Sequence, residues 1–170
     1  MKTPKIQLKN VKYFEGHDTM QGMNADVWID GVKCMHVYDS AHGGGYEYRN
    51  ETYKNPKAEQ IKSLIKNFED YIKTLPARTY VMGGTTSTFP VDMDGFICDL
   101  AEQMEMEKQM KRKILVGIPN STQYSYYNFK MPLAKVPQGQ LQASILRIKS
   151  NLEKGEVILN TNLTALGITI

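Results

Sequence analysis

The segment His42-Gly43-Gly44-Gly45, followed by Tyr46, Tyr48 and Arg49, holds the residue types in this chain best suited to a binding chemistry. Glycines let a backbone approach a ligand closely and can aim successive amides at an anion. In an extended segment Tyr46 and Tyr48 share one face while Arg49 points oppositely, giving a stacking surface beside the glycines that would hold a base or a nucleotide. The same exposed tyrosines suit a protein interface. The ligand-binding set on this reading is His42, Gly43, Gly44, Gly45, Tyr46, Tyr48 and Arg49, with Arg49 or Lys54 supplying the cation that a nucleotide needs. The oxyanion loop of lipases carries a similar glycine string, but such enzymes require a Gly-x-Ser-x-Gly nucleophile elbow, and the sequence has none. The bland alternative is a glycine-rich turn between strands.

Other clusters point to less. Gly83-Gly84-Thr85-Thr86-Ser87-Thr88 offers amides and hydroxyls ahead of a helix, yet it lacks P-loop spacing and reads as a flexible connection. Asp92-Met93-Asp94-Gly95 looks like a fragment of a calcium loop, but the glutamate that an EF-hand needs six residues after the glycine is Ala101, so it reads as a helix start. His17, His36 and His42 fall in no metal-ligand spacing, Cys34 and Cys98 in no Cys-x-x-Cys pair; no metal and no cofactor is expected, and the thiols are expected to be buried in a reducing cytoplasm. Lys108, Lys111, Arg112 and Lys113 precede Tyr124, Tyr126, Tyr127 and Phe129, the mixture that single-stranded nucleic-acid surfaces use, though Glu102, Glu105 and Glu107 alternate with the basic run and no RRM signature is present. Nucleic-acid binding is therefore kept as an alternative.

Two kinds of element must position these residues. Strands are expected first: Lys5 to Phe14, with a phase slip near Asn10 that suits a bulge; Asn24 to Ile29; Val32 to Tyr38 across an Asp30-Gly31 type I′ turn; and Tyr46 to Tyr53. Helical spacing follows Asn55-Pro56, through Ala58, Ile61, Leu64, Ile65, Phe68, Ile72 and Leu75. A second helix is expected from Pro90 to about Lys113 and a third over Gln138 to Glu153, closed by Gly155. Between them, Ile114 to Ile118 and Tyr124 to Met131 form a strand pair joined at Pro119-Asn120-Ser121, and Val157 to Leu159 a last short strand. Strands early and helices late, without βαβ alternation, predict a single α+β domain over residues 1–170, a mainly antiparallel sheet with about three helices largely on one face. Its core is expected to include Ile6, Leu8, Val27, Ile61, Leu64, Phe68, Leu100, Ile145 and Leu146.

Composition sets outer bounds. A chain of 170 residues with 41% hydrophobic and 23% charged residues has enough apolar material for a core, and the net charge of +3 from 21 basic and 18 acidic residues leaves any phosphate binding to a local patch. The start MKTPKIQLKN has no apolar signal-like run, and Ile114 to Ile118 is far too short to cross a bilayer, so a cytoplasmic protein with no membrane contact is expected.

The segments KIQLKNVKYFEG and ADVWIDGVKCMHVYDSAHGGGYEY resemble small uncharacterised proteins carried by tailed phages and related mobile elements, at Asp30, Gly31, Asp39, Gly43, Gly44 and Tyr46. The resemblance covers the first third of the chain and a general strand pattern around Ile114 to Phe129. It implies an accessory or anti-defence protein in the host cytoplasm that binds a host or phage protein or a small nucleotide. No nucleophile-base, metal or phosphate-loop constellation can be assembled from the spacing, so the reading leans to a non-catalytic binding protein. The alternatives are a single-stranded nucleic-acid binder or a nucleotide-processing enzyme at the glycine loops.

Overall fold

A computed structural model describes residues 3–16, 21–82, 85–119 and 123–169, with backbone alone at 80–82. The fold is α+β with every strand pair antiparallel, and the chain divides into two compact units, Met1–Ala101 and Glu102–Ile170.

In the first unit β1 (Ile6–Glu15), β2 (Gln21–Ile29), β3 (Val32–Asp39) and β4 (Glu47–Asn50) form a four-stranded meander in chain order. Asp30 and Gly31 join β2 to β3 with φ of 49° and 82°, the pair of positive angles that a type I′ turn demands. The phase slip in β1 is a bulge: the pairing with β2 shifts between Lys9 and Lys12, and Asn10 takes φ 54°. Side chains of period two then separate cleanly. Leu8, Ala25, Val27, Ile29, Met35 and Val37 form a buried inner face, which packs on Ile61, Ile65, Phe68 and Ile72 of α1 (Ala58–Ile72). Burying one such side chain contributes about 1.5–3 kcal/mol, so this layer is the main stabilising element of the unit. In the turn before the helix Asn55 accepts the Lys57 amide on its side-chain oxygen at 2.9 Å.

Thr85 to Thr88, expected as part of a flexible loop, instead belong to a strand. β6 (Thr85–Phe89) pairs with β5 (Arg78–Met82), because three β-branched threonines favour extended backbone over a loop. Gly83 and Gly84 lie outside the described residues, as do His17 and the Asn120-Ser121 part of the later turn. α2 (Met93–Met110) begins three residues after Pro90, where Asp92 accepts the Gly95 amide at 2.8 Å, so the Asp-Met-Asp-Gly string is a helix start. Its first nine residues belong to the first unit, where Phe96 meets the rings of Phe68 and Tyr71 edge to face.

In the second unit β7 (Lys113–Gly117) lies between β8 (Tyr124–Asn128) and β9 (Val157–Ile158). These strands form a sheet of their own, distinct from the meander. Ile114 and Val116 join Leu141, Ile145 and Ile148 of α3 (Gln138–Lys149), with Leu133, Leu163 and Ile168, in one buried cluster. α3 ends four residues before the expected Glu153, and Gly155, with φ 92°, serves a later turn rather than the helix cap. Leu146 is 58% exposed and leaves the expected core, because the stripe at 141, 145 and 148 puts it about 100° round the helix. Ile6, Leu64 and Leu100 are half-buried. Asn160 holds the unit's backbone together from inside: it accepts the Leu115 amide at 2.7 Å and donates to the carbonyls of Lys113 and Met110 at 2.9 and 3.4 Å.

The α3 register is checked by two truncations. Ile145→Ala should cost about 2–5 kcal/mol in urea unfolding, and Leu146→Ala should stay within about 0.5 kcal/mol.

Candidate functional site

The connection from β3 to β4 carries most of the sequence-derived site. It leaves the sheet through a tight turn in which Asp39 accepts the Ala41 amide at 2.9 Å, and Ala41 is buried with φ 59°. His42, Gly43, Gly44 and Gly45 are then exposed, with Gly43 at φ 78°. The return is fixed by a residue that sequence spacing did not single out for the site. Asp94, in the first turn of α2, accepts the Tyr46 amide on Oδ2 at 2.9 Å and the Tyr48 hydroxyl on Oδ1 at 2.8 Å. A Cβ at position 45 would come within 2.9 Å of Asp94 Oδ2, so a larger residue there must displace the carboxylate. At Gly44 a Cβ would meet nothing within 4 Å.

Tyr46 and Tyr48 are half-buried rather than laid open as a stacking surface. Burial raises the Tyr46 pKa above the ordinary tyrosine range, with Cys98 adding to the effect. Burial likewise raises that of Tyr48, reinforced by its hydrogen bond to the Asp94 carboxylate. Tyr48 thus acts as a donor to the Asp94 carboxylate. Cys98 is half-buried, and Cys34 is fully buried, where desolvation raises its pKa.

Arg49 is separated from the tyrosines by the pleat. Tyr48 pairs with Val37 on the inner face, while Arg49 pairs with His36 on the outer one. There a cross-strand row runs Lys9, Asp26, His36, Arg49. Asp26 is its hub: it receives the Asn10 side-chain amide at 2.8 Å, the Lys33 ammonium at 3.0 Å, and lies 3.1 Å from His36 Nδ1. The bulge at Asn10 is what brings that amide over β2. Burial alone would raise the Asp26 pKa, but the hydrogen bonds from Asn10, His36 and Lys33 outweigh it and hold the carboxyl at about 2. Lys33 also reaches Glu51 at 3.0 Å, and Lys9 sits 3.7 Å from the centre of the Trp28 ring. Lys54, the other cation suggested for a nucleotide, lies over the exposed ring of Tyr53 instead, beyond the end of β4.

Elsewhere in the first unit Arg78 forms an ion pair with Asp99 and donates to the Gly95 carbonyl at 3.3 Å. Among the described residues, no group of three or more His, Cys, Asp or Glu side chains is placed to hold a metal ion. The structure thus brings Gly45, Tyr46 and Tyr48 together around Asp94, leaves His42 to Gly44 exposed, and puts Arg49 on the opposite face of β4. Asp94 was legible as an acidic residue suited to a helix N-terminus, but its contacts reach across 46 and 48 residues, a distance over which periodicity carries no signal. No family model, curated protein or solved structure matches the chain.

Two measurements check these geometries. Gly45→Ala should displace Asp94 and cost roughly 1–3 kcal/mol of unfolding free energy, with Gly44→Ala neutral or slightly stabilising. For Asp26 the folded pKa lies below the ordinary 3.8, so its stabilisation is present above that value and is lost as pH falls toward about 2. Urea unfolding across that window should show Asp26→Asn lacking an acid-sensitive contribution of about 2 kcal/mol that the parent protein has.

Proposed function

We propose that this protein works by recognition rather than turnover, and that His42 to Gly45, rooted by Tyr46 and Tyr48, is the element that it presents to a protein partner. The observation that carries this reading is the Asp94 carboxylate at the foot of the loop. A nucleotide drawn to the glycine amides would bring its phosphate beside a fixed negative charge, with Asp39 at the other end of the loop, and like charges at such range repel. Arg49, the cation such a ligand would use, lies on the opposite face of β4. A neutral or basic protein surface meets no such opposition. The loop is also tied at both ends by aspartate hydrogen bonds, which lowers the ordering cost of binding. In the setting that the phage resemblance implies, the partner is a host or phage protein, and the chain is an accessory or anti-defence protein of the host cytoplasm.

Gly44→Arg tests this, because the new side chain enters open space and alters the presented surface without disturbing the fold. Protein captured from host extract by the parent chain should be lost with Gly44→Arg while the thermal midpoint is unchanged, and common nucleotides should shift the midpoint of neither. Retention of every partner by the folded variant would make the loop scaffolding. A nucleotide that stabilises the parent chain and not Gly44→Arg would replace the protein partner with a small ligand.

A further inference from the structure

The most one-sided charge in the chain lies away from the glycine loop. From Lys108 to Leu152 there are eight lysines and arginines and no aspartate or glutamate. Within Glu102–Ile170 the totals are nine basic residues against five acidic, a net of +4, whereas the first 101 residues hold twelve against thirteen. The overall +3 therefore understates the field that the second unit carries.

Folding concentrates this charge. Phe129 donates its amide to the Arg112 carbonyl at 3.1 Å and Leu133 donates to that of Lys111 at 2.8 Å, so the loop bearing Lys130 and Lys135 runs alongside the turn bearing Lys111 to Lys113. The turn is itself fixed, since Asn160 and Asn162 both donate to the Met110 carbonyl before it. Lys111, Arg112, Lys130 and Lys135 are exposed. Lys108 is left out of the set because Glu105 takes its ammonium at 3.1 Å.

Aromatic rings adjoin the cations. Lys113 pairs with Asn128 across β7 and β8, and its ammonium lies 3.9 Å from the centre of the Tyr126 ring on the same face. Tyr126 is 55% exposed and Tyr127, on the alternate face, 42%. Among the described residues β8 is an edge strand, with β7 as its one neighbour.

The geometry points to a single-stranded nucleic-acid surface on the second unit, in which Lys111, Arg112, Lys130 and Lys135 hold phosphates and Tyr126 stacks an unpaired base. Charge complementarity selects a polyanion, because no carboxylate occurs anywhere in the sequence of the turn, loop or strand. The Tyr126 ring selects single strands over duplex, since a base must leave its stack to lie on tyrosine. An acidic protein would satisfy the cations without using the ring. This surface stands independently of the glycine loop.

The test uses fluorescence polarisation of the full chain with a fluorescein-labelled oligothymidine of about 20 nucleotides, the matching duplex and heparin, across a salt series. The single strand should bind more tightly than the duplex. Lys111→Ala with Arg112→Ala should weaken binding and make the log–log salt dependence shallower by about 1.4, at roughly 0.7 for each phosphate no longer neutralised. Tyr126→Ala should weaken it about tenfold at unchanged slope, and Tyr126→Phe should restore it. Circular dichroism checks that each variant is folded. Absence of binding at low salt would overturn the inference. So would equal binding of single strand, duplex and heparin with Tyr126→Ala neutral, which would leave a surface for polyanions or acidic proteins in general.

Discussion

The carboxylate of Asp94 is the contact on which the candidate site depends. It joins the start of α2 to the end of the β3–β4 connection through one backbone amide and one phenol. Hydrogen bonds to a charged acceptor contribute about 1.5–3 kcal/mol, against roughly 1 kcal/mol for neutral pairs, and the aspartate gains further from its place in the first helical turn. Three other features follow from it. A Cβ at position 45 would press on the carboxylate, so a larger residue there must shift Asp94. The Tyr48 pKa, raised first by burial, is raised further by its hydrogen bond to this carboxylate. The loop tip, His42 to Gly45, is exposed while its root is fixed, which is the arrangement that a presenting loop requires.

What the sequence disclosed was local. The Asp30-Gly31 turn is fixed by backbone sterics, and the bulge at Asn10 by a slip in two-residue alternation, so both were legible without tertiary knowledge. The α1 stripe was legible for the same reason, since Ile61, Ile65, Phe68 and Ile72 lie on one face by spacing alone. Errors arose where a local cue competed with a longer-range one. Gly155 has the positive φ of a helix cap but sits beyond a helix that stops at Lys149, because Ser150 to Leu152 already turn back on α3 carbonyls. Leu146 looked like core by hydrophobicity, and only the position of its neighbours on the sheet decides which of two adjacent apolar residues is buried. In the site, the grouping of glycines with Tyr46 and Tyr48 was readable and so was the opposite sense of Arg49. The identity of what faces them was not, because it comes from a helix some fifty residues later.

The two units satisfy their interior polar groups with different chemistry, and this bears on the charge that each displays. The first uses carboxylates, Asp26 and Asp94, which only accept and so gather donors around themselves: lysine, histidine, asparagine, a phenol and an amide. Cations are consumed in the process, as Lys33 is between Asp26 and Glu51. From residue 102 onward the chain has no aspartate at all, and its buried hub is Asn160.

An asparagine both donates and accepts, so Asn160 can serve the Leu115 amide and the Lys113 and Met110 carbonyls without introducing charge. An aspartate at this position would keep the first bond, lose the donors to both carbonyls and place a negative charge beside the Lys111 to Lys113 turn. Burying that charge without partners would be costly, and whatever lysine came to neutralise it would be withdrawn from the surface. A neutral hub is thus what allows the turn to be held rigidly while its basic side chains remain exposed. The same requirement, a backbone fixed from inside so that a short segment can be displayed outside, is met in the first unit by a carboxylate and in the second by an amide.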